Sequence, residues 1–222
     1  MYNDKTITIA PSILSGDFVN MEKTVHLIEM WGGDWIHCDV MDGVYVNNLT
    51  FGMPMIAAIR KITKKTLDVH LMITKPEKYI EQFAKAGSDV ITFHPDASED
   101  PLNTLRLIKK HKVKAGLVFN PNIPLEDYKH LFPYCDLLLI MSVYAGKGGQ
   151  AFIEDTYKKI KQARIYCNIM CLDIPIEVDG GIGEGNFEKV IEAGGNILVA
   201  GSSVFNSHNP PCTIKIMKDG TK

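Results

Sequence analysis

Three apolar runs, WIHCDVMDG at 35–43, TLDVHLMI at 66–73 and IPIEVDGG at 174–181, decide how this chain folds. Each is almost continuously apolar, which is typical of strands that are buried on both faces of a parallel sheet. Two imidazoles and two carboxylates nevertheless lie within them: His37, Asp39, His70 and Asp179. Such groups are costly to bury without a partner. The runs therefore predict both a set of strands and a functional site at their ends.

Five further runs share this texture: residues 7–14, 89–94, 114–119, 137–143 and 196–201. Charged segments with helical spacing, such as 76–87, alternate with them. Eight strands in 222 residues leave about 28 residues for each strand–helix unit. The pattern predicts one α/β domain over 1–222, a (β/α)8 TIM barrel with a short C-terminal tail from about residue 206. An open doubly wound sheet is the alternative, but the first turn, PSILSGDF, lacks the GxGxxG pattern of that fold.

The composition is that of an ordinary globular protein, with 45% apolar and 23% charged residues. A formal net charge of −2 gives no electrostatic reason to expect binding to nucleic acid or to an anionic membrane. No apolar run approaches the roughly 20 residues that cross a bilayer. The five cysteines form no CxxC pair, and the N-terminus lacks the pattern of a signal peptide. We therefore expect a cytoplasmic protein.

The polar residues of the strand runs share one direction. His37 and Asp39 alternate along one strand, and Asp68 and His70 alternate along the next, so that each pair faces one side of its strand. Asp179 ends strand seven. A lone strand histidine is more often a hydrogen-bonded core residue than a ligand. Four such groups at the C-terminal strand ends, where barrel active sites lie, instead favour one divalent metal ion: zinc, iron, cobalt or manganese.

Three glycine-rich turns follow strands six, seven and eight: GKGGQ at 146–150, DGGIG at 179–183 and AGSS at 200–203. Glycine lets backbone N–H groups approach an anion closely, and loops after strands seven and eight are the usual phosphate site of barrels. One such turn alone would favour a purely structural role. The three together favour a phosphate site.

These stretches resemble the ribulose-phosphate 3-epimerase family over nearly the whole chain. HCDVMDG at 37–43, DVHLM at 68–72 and EVDGG at 177–181, in this order and spacing, carry the resemblance, together with APSILSGDF and VAGSSVF. The resemblance implies a carbohydrate isomerase of the pentose phosphate pathway. Its members interconvert D-ribulose 5-phosphate and D-xylulose 5-phosphate by inverting C3, and they commonly form homo-oligomers.

Residue roles follow from the same resemblance. His37, Asp39, His70 and Asp179 would bind the metal, and Asp39 and Asp179 would be the catalytic acid/base groups. The substrate-binding residues would be Ser12, Met41, His70, Met72, Met141, Gly146, Gly148, Gly149, Gly180, Gly181, Gly201 and Ser202. Lys147, in the same loop, is a further candidate from this chain's own sequence.

The chain departs from the family pattern near the predicted phosphate site. The family usually reads FVPN where this chain has Tyr45-Val46-Asn47-Asn48, and NPGFGGQ where it has YAGKGGQ at 144–150. Ala145 stands in the place of a proline and Lys147 in the place of a phenylalanine. Loss of the proline predicts a looser loop. Lys147 either pairs with phosphate or points to water.

Two alternatives stay open at this point. A sister epimerase acting on D-allulose 6-phosphate would use the same metal chemistry. A non-catalytic barrel that binds sugar phosphates is the alternative from another functional class, and the altered loop is the feature that favours it.

Overall fold

The computed structural model describes residues 6–220, so that 1–5 and 221–222, the ends of the predicted domain, lie outside the described part. Its strands are β1 (Thr8–Ala10), β2 (Trp35–Met41), β3 (Thr66–Met72), β4 (Val90–Phe93), β5 (Lys114–Phe119), β6 (Leu137–Met141), β7 (Ile176–Asp179) and β8 (Ile197–Val199). All pair in parallel, in the order β1-β8-β7-β6-β5-β4-β3-β2.

The sheet curves round until its two edges meet. A parallel bridge joins Ser12, just beyond β1, to His37 of β2. The His37 N–H donates to Pro11 O at 3.1 Å, and the Asp34 N–H donates to Ile9 O at 2.8 Å. The predicted (β/α)8 barrel is therefore confirmed, and the open doubly wound sheet is excluded.

Helices alternate with the strands. They are α1 (Met21–Met30), α2 (Met53–Ile62), α3 (Ile80–Ala86), α4 (Pro101–Lys110), α5 (Thr156–Ile169), α6 (Phe187–Ala193), α7 (Ser202–Phe205) and α8 (Pro210–Asp219). Short 3-10 helices lie at Ile13–Ser15, Phe18–Asn20, Pro76–Lys78, Pro95–Ala97, Leu125–Asp127 and Lys129–Tyr134. Gly87 and Gly194 end α3 and α6 with φ of 106° and 114°, a left-handed conformation that glycine adopts without strain. Across residues 6–220, no helix has the length and apolar character needed to cross a membrane.

The segment after residue 206, expected as a short tail, contains the ten-residue helix α8. Pro210 lies in its first turn, where a missing N–H removes no helical hydrogen bond. The Asn209 side chain accepts from the Cys212 N–H at 3.3 Å and caps the helix. Because Ile214 and Met217 are buried and α8 packs on β1, the helical layer is covered at this end of the chain.

Apolar residues from four strands fill the interior of the barrel. Ala10, Val90, Leu137, Ile197 and Val199 form a buried cluster there, apart from the larger core between sheet and helices. The C-terminal ends of the strands carry the buried polar groups instead. The fold thus places a polar site above the apolar interior of the barrel, at the mouth where the three glycine-rich turns also lie.

Candidate active site

Four side chains from three strands meet at this mouth. The pairing of β2 with β3 sets Asp39 opposite His70, and Asp179 ends β7. His37 Nε2 and His70 Nδ1 each lie 3.4 Å from Asp39 Oδ1 and 3.9 Å from Asp179 Oδ2. One ligand atom from each of the four residues lies within 4.8 Å of all the others. The structure thus brings together the four residues that the sequence predicts as a metal site.

The free atoms of this cluster fit a divalent cation. His37 Nε2 and His70 Nδ1 are buried and have no hydrogen-bond partner among the described residues. Leaving a buried polar atom unpaired costs about 1–3 kcal/mol. Two imidazole nitrogens and two carboxylate oxygens that point at one small space would satisfy a borderline metal such as zinc, iron, cobalt or manganese. The donor set therefore fits the predicted metal.

The other ring nitrogen of His37, Nδ1, lies beside two acidic side chains. His37 Nδ1 lies 2.5 Å from Asp68 Oδ2 and 3.4 Å from Glu177 Oε1, and all three side chains are fully buried. A carboxylate at Nδ1 keeps the proton on that nitrogen and leaves the lone pair of Nε2 free for a metal. Alternation along the strand predicts the face on which Asp68 lies, but no sequence pattern assigned a role to Glu177. Glu177 carries the same signal as the ligands, an acid inside an apolar strand.

His70 is held by another histidine. His70 Nε2 lies 3.0 Å from His94 Nε2, and both rings are fully buried. Burial, and then the neighbouring His70, keep the pKa of His94 well below its usual value. His94 is therefore a neutral ring that orients His70. His94 lies just after β4, and the pairing of β3 with β4 brings its ring to His70.

The two carboxyl groups of the site differ in proton affinity. Burial raises the pKa of Asp179 to about 7, and the nearby Asp39 adds to this effect. Burial alone would also raise the pKa of Asp39, but His37 and His70 outweigh it and hold that pKa below its usual value. Asp39 also accepts a hydrogen bond of 2.6 Å from Ser12 Oγ. Two carboxyl groups with opposed shifts are what an acid/base pair requires.

A cavity of about 330 Å³ opens above the two carboxylates. Every predicted substrate-binding residue except His70, which is buried beneath it, lines this cavity: Ser12, Met41, Met72, Met141, Gly146, Lys147, Gly148, Gly149, Gly180, Gly181, Gly201 and Ser202. Ser203 and Asn206 also line it, although no sequence pattern singled them out. The three methionines form an apolar and adaptable wall beside the charged groups.

The glycines of the loop after β7 allow close backbone packing. Gly181 has φ of 63°, and a Cβ there would lie 2.7 Å from both Gln150 O and Phe152 N. Any side chain at this position would therefore push the loop after β6 away from the cavity. This contact sets the two glycine-rich turns side by side.

The loop after β6, residues 144–150, is held by side chains despite Ala145. Gln150 Nε2 donates to Tyr144 O at 2.8 Å and to Lys147 O at 2.7 Å. Asn48 Nδ2 donates to Gly146 O at 3.0 Å. The Ala145 N–H, which a proline would lack, donates to Asn120 Oδ1 at 3.2 Å. These bonds oppose the loosening that the missing proline predicts.

We expect metal binding to weaken as the pH falls from about 8 to 6. In the metal-free protein, burial and Asp39 raise the pKa of Asp179 to about 7. Burial opposes protonation of His37, but Asp39 and Asp68 raise the pKa of that ring well above its usual value. Both protons must leave when a metal binds, so the affinity should fall about tenfold or more for each unit of pH. Titration of Mn²⁺ or Zn²⁺ at several pH values measures this slope, and a flat profile would contradict it.

The Asp68→Asn variant should bind metal about 10- to 100-fold more weakly. The amide can turn its N–H groups toward His37 Nδ1 and so favour the wrong tautomer of the ring. Competition with a chelating dye measures the affinity. Asp127→Asn, at an exposed position far along the chain, is the matched control. Equal affinity in both variants would show that Asp68 does not orient His37.

Comparison with known proteins agrees with this geometry. Residues 8–205 match the Ribulose-phosphate 3 epimerase family. The chain is 50% identical to a ribulose-phosphate 3-epimerase of Synechocystis sp. over 207 residues, which cover 92% of this chain and 90% of that protein. It is 43% identical to the chloroplastic ribulose-5-phosphate-3-epimerase of Arabidopsis thaliana over 219 residues, covering 98% and 78%.

Solved structures of distant sequence share the fold. A KGPDC from Streptococcus mutans superposes with a TM-score of 0.69 at 12% identity and 96% coverage of both chains. A tryptophan synthase alpha-subunit from Pyrococcus furiosus gives 0.68 at 12% identity, covering 99% of this chain and 97% of that one. These two establish the barrel alone. Sequence identity over almost the full length, together with the match to the family, shows that this chain belongs to the ribulose-phosphate 3-epimerase family.

Proposed function

We propose that this epimerase interconverts D-ribulose 5-phosphate and D-xylulose 5-phosphate, with Asp39 and Asp179 as its two proton-transfer groups. The observation that carries the proposal is the pair of buried carboxylates with opposed pKa shifts beside two unpartnered imidazole nitrogens. A pure binding site has no need of such a pair.

The chemistry starts from the acidity of C3, which depends on the C2 carbonyl beside it. One carboxylate removes the C3 proton from one face of the sugar, and the other carboxyl group returns a proton to the opposite face, so that the centre inverts. A divalent metal held by His37, Asp39, His70 and Asp179 would supply Lewis-acid stabilisation of the negative charge on the C2 oxygen. Ser12, through its hydrogen bond to Asp39, orients one of the two proton carriers.

The same proposal gives the loops their role. The turns after β6, β7 and β8 would hold the phosphate through backbone N–H groups, and the methionines would cover the reacting carbon. Gly146, Gly148, Gly149, Gly180 and Gly181 supply most of this backbone. The proposed enzyme is a cytoplasmic homo-oligomer; compartment and assembly stay predictions.

Rates on two sugars test the substrate. We expect turnover of D-ribulose 5-phosphate with added divalent metal. The kcat/KM for D-allulose 6-phosphate should be lower by about 10-fold or more, since one extra carbon must fit between the carboxylates and the loops that would hold the phosphate. Faster turnover of the hexose phosphate would assign the chain to the sister epimerase instead.

Lys147 is proposed to pair with the substrate phosphate. It lines the cavity, and its ammonium group makes no ion pair within residues 6–220. Lys147→Met should raise KM for D-ribulose 5-phosphate by about 3- to 10-fold with little change in kcat, and added salt should shrink the difference. Lys64→Met, at an exposed position before β3 and thus at the other end of the barrel, is the control. An unchanged KM in Lys147→Met would show that this side chain points to water.

A further inference from the structure

Asn120, the first residue after β5, connects three segments of the mouth of the barrel. Its Nδ2 donates to Tyr45 Oη at 3.1 Å and lies 3.4 Å from His94 Nδ1. Its Oδ1 accepts from the Ala145 N–H at 3.2 Å. One amide thus contacts the loop after β2, the end of β4 and the loop after β6.

One end of this connection reaches the metal cluster. His94 Nε2 lies 3.0 Å from His70 Nε2, and the Tyr45 ring packs on His94 with centroids 4.7 Å apart. Tyr45 Oη is also 3.2 Å from both carboxylate oxygens of Asp96. A continuous row of side chains therefore runs from His70 through His94 to Asn120.

The other end reaches the loop that would hold the phosphate. Ala145 packs on two buried clusters, one with Met141 and Val143 and one with Met41 and Met72. A shift of Ala145 would therefore move both the loop and the methionine wall. The amide oxygen of Asn120 accepts from the backbone N–H of Ala145 and so holds Ala145 in place.

The backbone of Asn120 is itself fixed from outside. Lys159 of α5 donates through Nζ to Asn120 O at 2.6 Å and to Pro121 O at 3.2 Å. Burial of this ammonium group lowers the pKa of Lys159 to about 8. A cation is held in a half-buried position because two carbonyls accept from it, so Asn120 is anchored on its main chain as well as on its side chain.

We propose that Asn120 is a positioning residue of this epimerase, whose amide sets the phosphate loop in register with the metal ligand His70 through Tyr45, His94 and Ala145. The inference rests on the proposed roles of the loop and of the metal cluster. We therefore expect loss of the amide to weaken phosphate binding while the proton-transfer groups stay in place.

The test compares Asn120→Leu, Tyr45→Phe and the double variant. We expect Asn120→Leu to raise KM for D-ribulose 5-phosphate and the inhibition constant of inorganic phosphate by about tenfold, with kcat changed by less than about threefold. Tyr45→Phe removes only the hydroxyl and should raise both constants by about threefold. Because the two groups act through one connection, the double variant should match Asn120→Leu alone and not the product of the two effects.

Binding of inorganic phosphate to the metal-free variants, measured by calorimetry, gives a readout that does not depend on turnover. Tyr166→Phe, which also loses a hydroxyl–carboxylate bond but on the outer side of α5, is the matched control and should behave as wild type. Any one of three results would overturn the proposal. They are unchanged phosphate binding in both variants, a loss confined to kcat, and multiplicative effects in the double variant. If Asn120→Leu does not fold, an unchanged KM in Tyr45→Phe overturns it. If the wild-type protein binds no phosphate, the proposed role of the loop in phosphate binding is wrong, and the inference about Asn120 fails with it.

Discussion

In the Asp179→Asn variant, turnover of D-ribulose 5-phosphate is expected to fall by about 10³-fold or more. General acid–base groups contribute about 10²- to 10⁴-fold each, and Asp179 is both a proton carrier and a proposed metal ligand. An amide can neither remove nor deliver the C3 proton. Steady-state rates at saturating metal measure the loss, and circular dichroism checks that the barrel is intact.

The control for this variant is Asp173→Asn, an exposed carboxylate that precedes β7. It should retain wild-type turnover. If Asp179→Asn turned over at the wild-type rate with its fold intact, the mechanism with two carboxylates would be wrong. A second consequence is sharper still: Asp39→Asn and Asp179→Asn should each exchange the C3 hydrogen of only one of the two sugar epimers with solvent, since each retains one face.

Removal of the metal is expected to lower kcat by about 10²-fold or more, and addition of Mn²⁺, Co²⁺, Fe²⁺ or Zn²⁺ should restore it. Negative charge that develops on the C2 oxygen would otherwise face two buried carboxylates without a cation, which raises the barrier. Dialysis against a chelator, followed by elemental analysis and rate measurement, tests this expectation.

The metal-free protein should stay folded, because the donor atoms are carried by paired strands and not by loops. The control is an equal treatment with chelator already saturated with metal, which should leave the rate unchanged. If protein with no metal detectable by elemental analysis is fully active, the metal takes no part in the mechanism. Elemental analysis of protein purified without added metal identifies the ion that the site selects.

Much of the fold could be predicted because buried parallel strands leave a direct mark on the sequence. Continuous apolar runs predicted all eight strands, and Gly87 and Gly194 marked helix ends that have the left-handed conformation. Helix α8 was underestimated, because two prolines suggest a break and their position in the first turn becomes visible only in the structure.

The residues of the candidate site likewise differ in whether the sequence alone reveals them. His37, Asp39, His70 and Asp179 could be predicted because imidazole and carboxylate groups in apolar strands are rare. Asn120 and His94 could not, since their roles depend on contacts between segments that are far apart in the chain, such as the 3.2 Å bond between Asn120 and Ala145. For the same reason, the sequence could suggest a looser loop at Ala145 but could not show that the freed N–H has a partner.

Turnover in heavy water tests directly whether two carboxyl groups act on opposite faces of C3. Metal-loaded enzyme is given unlabelled D-ribulose 5-phosphate in D₂O, and the xylulose 5-phosphate formed early in the reaction is analysed by mass spectrometry and NMR. We expect one solvent deuterium at C3 of every product molecule, because the hydrogen delivered is not the one removed. Product that retains the original hydrogen at C3 would contradict it.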